Sequence, residues 1–190
     1  MVVMTSTEAG LPRGTSLTAY ALAHMIETGQ LDEWPRYELI DGVLSEMPGP
    51  SDEHQFVQAA LLERFFAARP RDVRVLASPF DILREDTVVQ PDIVVIRRTP
   101  VTTGYLEEIP LLAVEILSPS TALRDLNTKF KRYERAGIAS YWVVDPITLR
   151  FTAWELQDGR YVEVADIGPD GDWTSSEPFE VTIRPSELLD

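Results

Sequence analysis

The chain has 190 residues, 44% hydrophobic and 25% charged, with a net charge of −14, which fits one globular domain and excludes wholesale disorder. It has no cysteine and only two histidines, His24 and His54. Disulfides, thiolate nucleophiles, Cys-based zinc sites and multi-histidine cages are therefore excluded, and any metal would need oxygen ligands, as magnesium, manganese and calcium do. No run approaches the roughly 18 apolar residues of a membrane span, and the start has no cationic leader with an apolar core, so a cytoplasmic protein that engages no membrane is expected.

The acidity lies in the flanks. Net charge is −5 over residues 1–50, −1 over 51–150 and −8 over 151–190. An acidic surface works against tight non-specific nucleic-acid binding, which needs Lys and Arg to displace counterions. A small basic groove in the middle of the chain remains possible.

In chain order, residues 1–14 read as a flexible leader, and 15–190 as one domain whose core spans 37–160. Ser16 is placed to cap a helix that stops at Gly29, with Leu17, Tyr20, Ala21, Ala23 and Met25 as its apolar positions. Two short apolar runs around Asp41-Gly42 predict a tight hairpin. Ser51 caps a second helix over 51–68, whose buried stripe is expected to include Phe56, Ala59, Ala60, Leu62 and Phe66. Strand, Ser-Pro break and strand follow over 73–83, then strands over 92–96 and 111–117. A third helix is expected over 122–136, closed by Gly137, then a strand over 141–144 and two or three more before Ile183. The order predicts an α/β fold, a mixed central sheet flanked by helices.

Two carboxylates stand where the pattern demands burial. Asp92 opens the run Ile-Val-Val-Ile, and Glu115 interrupts Leu-Leu-Ala-Val-Glu-Ile-Leu. Each would cost several kcal/mol unless paired or bound to a metal. Converging from neighbouring strands, they suit a hard divalent cation. Of the 17 basic residues only Lys129 and Lys131 are lysines, and Asp125, Lys129 and Tyr133 fall on one helical face. The stretch 120–135 is locally basic through Arg124, Lys129, Lys131, Arg132 and Arg135, the one place suited to a phosphate backbone.

The segments Tyr37-Glu38-Leu39-Ile40-Asp41-Gly42, His54, Gln90-Pro91-Asp92-Ile93, Glu115 through Thr121, Asp125…Lys129…Tyr133 and Tyr141 through Pro146 together resemble the Uma family of restriction-endonuclease-like domains, within the PD-(D/E)XK nuclease superfamily. The resemblance implies a restriction-endonuclease-like fold. It matches Asp92 and Glu115 to metal ligands, helped by a backbone carbonyl near Ile116, with Mg²⁺ or Mn²⁺ as cofactor. Residue 117, where the superfamily motif has lysine, is leucine, and Lys129 takes the catalytic lysine's place. Glu38 matches an additional acidic residue at the pocket's edge. His54, Asp125, Arg124, Lys131 and Arg132 are candidate substrate contacts, with DNA as the expected partner. Trp154, Tyr161 and Trp173 offer surface for an expected homodimer.

The implied function is metal-dependent phosphodiester hydrolysis. Two alternatives stand beside it: a nuclease-fold binding or regulatory module with weak or no catalysis, and a hydrolase of a phosphorylated small molecule. Lysine 129, read as an exposed helical side chain, is expected to matter for activity and little for stability.

Overall fold

A computed structural model describes residues 17–32, 36–79, 81–98, 108–119 and 121–189. The leader and Ser16 lie outside these. Helix α1 (Ala19–Glu27) is capped by Thr18, whose side chain accepts from the Ala21 N–H, and it ends before Gly29 at φ 69°. It buries Leu22 and Met25, while Tyr20 stays exposed. Strands β1 (Arg36–Ile40) and β2 (Val43–Met47) form the expected hairpin. Asp41 (φ 52°) and Gly42 (φ 75°) both adopt the left-handed conformation that a two-residue turn between twisted strands requires.

Helix α2 (Asp52–Ala68) starts where predicted, with Ser51 accepting from the His54 N–H. Its buried face is a different one from that expected: His54, Val57, Leu61 and Phe65 point inward, while Phe56 and Phe66 are exposed. Alanine and phenylalanine occur all round this helix, so apolar spacing alone does not single out the face that meets the sheet. Phe65 packs edge-on to Trp142 and Phe179 at centroid distances of 5.5 and 5.8 Å. Adjacent residues should therefore behave oppositely. Phe65→Ala should cost about 3–5 kcal/mol in chemical denaturation, whereas Phe66→Ala should cost about 0.5 kcal/mol, even though the Arg69 guanidinium lies over its ring.

The main sheet has six strands in the order β10-β9-β8-β7-β6-β3. They are β3 (Val73–Ala77), β6 (Ile93–Arg97), β7 (Leu112–Ile116), β8 (Ser140–Asp145), β9 (Arg150–Gln157) and β10 (Arg160–Ile167). Within it β7 and β8 are parallel and the other pairs antiparallel. A second sheet, β2-β1-β5-β4, adds β4 (Asp81–Arg84) and β5 (Thr87–Val89), a strand the sequence reading missed. Strands β11 (Trp173–Ser175) and β12 (Val181–Ile183) pair at the end, so the tail has four strands in place of two or three.

The faces of the main sheet carry different chemistry. Val114, Ile116, Trp142 and Val144 join one core with Leu61 and Phe65 of α2. Ala113, Tyr141 and Val143 join another with Tyr133 and Ile138. Alternation along β7 thus turns Glu115 toward the second face. That face is covered by a π-helical turn (Arg124–Lys129) running into α3 (Phe130–Ala136), which closes at Gly137 in the left-handed conformation. Trp154 and Tyr161 are engaged with Phe130 and Tyr141, and Trp173 with Trp142 and Phe151. All three aromatics take part in internal packing and remain half-buried. Among the described residues no helix is long and apolar enough to cross a membrane.

Candidate active site

Asp92 lies just before β6, and the β6–β7 register that pairs Ile93 with Val114 continues to set it opposite Glu115. Its Oδ2 accepts from the Ile116 N–H at 2.7 Å and lies 3.1 Å from His54 Nε2. Gln58 Nε2 and the Ser78 N–H donate to the Asp92 carbonyl at 2.7 and 2.8 Å. Both main chain and side chain of Asp92 are thereby held. His54, in the first turn of α2, is buried against this carboxylate and is not simply solvated.

Glu115 is held as firmly from the other side. Its Oε1 accepts from the Tyr133 hydroxyl at 2.6 Å and from Lys129 Nζ at 3.1 Å. Burial raises its carboxyl well above the usual range, and Lys129 opposes the shift without cancelling it, while Asp125, Asp92 and Glu38 add to it.

Lys129 overturns its sequence reading. Its side chain is 1% exposed and forms ion pairs with Glu38 Oε1 at 2.8 Å, Glu115 Oε1 at 3.1 Å and Asp125 Oδ1 at 3.3 Å. Burial alone would depress the ammonium, but Glu115, Glu38 and Asp125 outweigh it and raise the group well above its ordinary value. The wide turn that delivers it is visible in the backbone, where the Phe130 N–H reaches the Asp125 carbonyl five residues back. Such π turns concentrate at functional sites. Asp125 is raised too, by burial, against the pull of Lys129 and Thr121.

Glu38 belongs to the buried cluster around Lys129. It is fully buried, accepts from the Gln90 N–H at 3.1 Å and faces Arg124 at 3.6 Å. The other expected basic contacts divide. Arg124 also donates to Met47 Sδ, Arg132 pairs with Asp41, and Lys131 is exposed outside the pocket. Asp92, Glu115, Asp125, Lys129 and His54 line one cavity of about 210 Å³, with Met47, Pro48, Gly49 and Pro50 along its rim. Sequence reasoning did not find Gln58, Ser78 or the Tyr133–Glu115 bond. For Tyr133 the signal was its spacing on the face of Asp125 and Lys129; Ser78 stands out only in the structure, at φ 45°.

The donor set suits a hard divalent cation. Asp92 and Glu115 each hold one oxygen with protein donors, and among the described residues no bond is made to the other. Three carboxylates share one buried ammonium, one of them also faces the Arg124 guanidinium, and Asp92 stands beside them, a concentration of acidic groups that a cation would relieve. No group of three His, Asp or Glu side chains among the described residues is placed to hold a metal. A magnesium-type ion does not require one, since it is commonly bound by one or two carboxylates and completed by water.

Comparison with known proteins bears on the fold and the family. The chain is similar in fold to the crystal structure described as "a putative nuclease belonging to DUF820" from Anabaena variabilis ATCC 29413, with a TM-score of 0.69 at 20% identity, covering 87% of this chain and 96% of that one. No curated protein matches. The family model Uma2, described as "Putative restriction endonuclease", matches residues 13–186. A restriction-endonuclease-like mixed sheet with acidic residues gathered at the ends of its strands is what the fold and pocket present, and the chain belongs to the Uma2 family.

Proposed function

We propose that the protein hydrolyses phosphodiesters in nucleic acid, DNA above all, with Mg²⁺ or Mn²⁺ held by Asp92 and Glu115 and a backbone carbonyl near Ile116. The observation that carries this is the matched pair of carboxylates, each anchored through one oxygen and open at the other, beside a buried ammonium. When bound, the cation would lower the pKa of a coordinated water and bind a phosphoryl oxygen. The protein's own part is positional. Ile116 N–H and His54 fix Asp92; Tyr133 and Lys129 fix Glu115. Lys129 stays protonated, because its surrounding carboxylates raise its pKa. It therefore acts as a charge and a donor toward developing negative oxygen, not as a general base.

Supercoiled, linear and single-stranded DNA incubated with Mg²⁺ or Mn²⁺ should be cut, and chelation should stop the reaction. Failure on all three would overturn the proposal. A second reading, a nuclease-fold binding module without catalysis, draws on the same ion pairs, since an ammonium locked by three carboxylates also serves structure. Metal binding without turnover would favour it.

A further inference from the structure

A phosphodiester is an anion, and the cavity walls carry the carboxylates of Asp92, Glu115 and Asp125. A positive side chain is needed to meet the phosphate there, in addition to any bound cation. The basic residues read from the sequence do not supply it. Lys129 is 1% exposed, with its ammonium shared by three carboxylates. Arg124 faces Glu38 and Met47, Arg132 pairs with Asp41, and the cavity lining includes neither. The guanidinium that does line the cavity is that of Arg36.

Strand β1 places it there. Arg36 and Glu38 are two apart on the strand and so share a face, and Glu38 reaches the buried cluster. Arg36 lies one pleat further out, and its register partner is Met47, on the cavity rim. The residue is half-buried, neither sunk like Glu38 nor free in solvent. Its direction is set by a chain of polar groups that begins at Asp92. Ser78, at φ 45°, donates its N–H to the Asp92 carbonyl at 2.8 Å and accepts from Gln90 Nε2 at 2.8 Å. Gln58 Nε2 steadies the same residue by donating to Ser78 Oγ at 3.2 Å. The Gln90 amide, so fixed, turns its Oε1 to Arg36, whose Nη1 donates to it at 3.5 Å. One strained residue thus holds both Asp92 and the amide that aims Arg36. That amide is neutral, so it directs the guanidinium without cancelling its charge. The contact is also long, and a charged phosphate oxygen would outcompete it.

We infer that Arg36 binds the substrate phosphate as it enters the cavity, a role that rests on the function proposed for this site. Its planar fork of N–H donors suits two phosphate oxygens at once. Arg36→Gln and Arg36→Lys test this by anisotropy of a labelled oligodeoxynucleotide, single-stranded and annealed, in Ca²⁺ across a salt series. Arg36→Gln should weaken binding about tenfold, the scale of a hydrogen bond between charged groups. It should also reduce the salt slope by about 0.7–0.9, as expected for one phosphate contact. Arg36→Lys should keep the slope and recover part of the affinity, because its ammonium has the charge but not the fork. Mn²⁺ affinity by calorimetry and denaturant midpoints should stay close to wild type in both. Unchanged oligonucleotide affinity and slope in Arg36→Gln overturn the inference and leave hydrolysis standing. No oligonucleotide binding by the wild type overturns it as well. Loss of Mn²⁺ affinity together with oligonucleotide binding also overturns it, and makes Arg36 a structural support of the cation site. A wild-type protein that binds through Arg36 yet cuts no DNA with Mg²⁺ or Mn²⁺ supports the contact and overturns the proposed hydrolysis.

Discussion

Lys129→Ala should cost the protein stability as well as activity. The ammonium neutralises Glu38, Glu115 and Asp125, all buried. Removing one partner of a buried ion pair strands the other charges and costs about 3–5 kcal/mol, a large share of the roughly 5–15 kcal/mol that holds a typical domain. The loss should depend on pH in a definite direction. Glu115 already has a raised pKa in the folded protein because of burial. Above its unfolded value the native state binds more protons than the unfolded one, so this group's contribution falls as pH rises through the folded pKa. Without Lys129 that pKa rises further. The variant should be closest to wild type in mild acid and fall further behind toward neutral and alkaline pH, as read by denaturant midpoints across the range. Equal stability of variant and wild type at every pH would show that the three carboxylates do not depend on the lysine.

Two companion variants separate charge from position. Glu38→Gln, Glu115→Gln and Asp125→Asn added to Lys129→Ala remove the three stranded charges, and should recover stability without activity. Leu117→Lys added instead supplies a cation two residues after Glu115, on the same face of the strand. Leu117 is half-buried against the Tyr133 and Tyr141 cluster. Some activity should return there, offset by the lost leucine packing.

The chain order shows which parts of this were legible. The hairpin was, because Asp-Gly admits the two left-handed residues it needs. Asp92 and Glu115 were, because a carboxylate in an apolar strand demands a reason. The depth of Lys129 was not. Helical spacing places Asp125, Lys129 and Tyr133 on one face, but does not say that this face looks inward, nor that the turn widens to a π-helix. That follows from β1, which brings Glu38 across from the second sheet, and from the alternation that aims Glu115 at the same point. The same limit explains α2, where His54 points at Asp92 while two phenylalanines remain in solvent. Local pattern identified the helix, and tertiary contact chose its face.

Asp92→Asn should do the reverse of the lysine change and leave the fold while removing the chemistry. Asparagine keeps an oxygen able to accept from the Ile116 N–H, now at 2.7 Å from Asp92 Oδ2, and the side chain is the most open of the site's acids. The stability change should stay within about 1 kcal/mol, the range of a single hydrogen bond to a polar group. What the substitution removes is the negative charge that a divalent cation needs from its ligand. Calorimetric heats for Mn²⁺ should disappear, and cleavage should fall about 10³-fold, the scale of losing a preorganised electrostatic contact. The two variants thus divide the cluster. The acids around Lys129 pair with its ammonium, while under the proposed function Asp92, anchored by Ile116 and His54 with an oxygen left over, would hold the cation. If Asp92→Asn binds Mn²⁺ as wild type does yet unfolds more easily, Asp92 is a structural partner of Ile116 and His54, and the metal must be sought elsewhere.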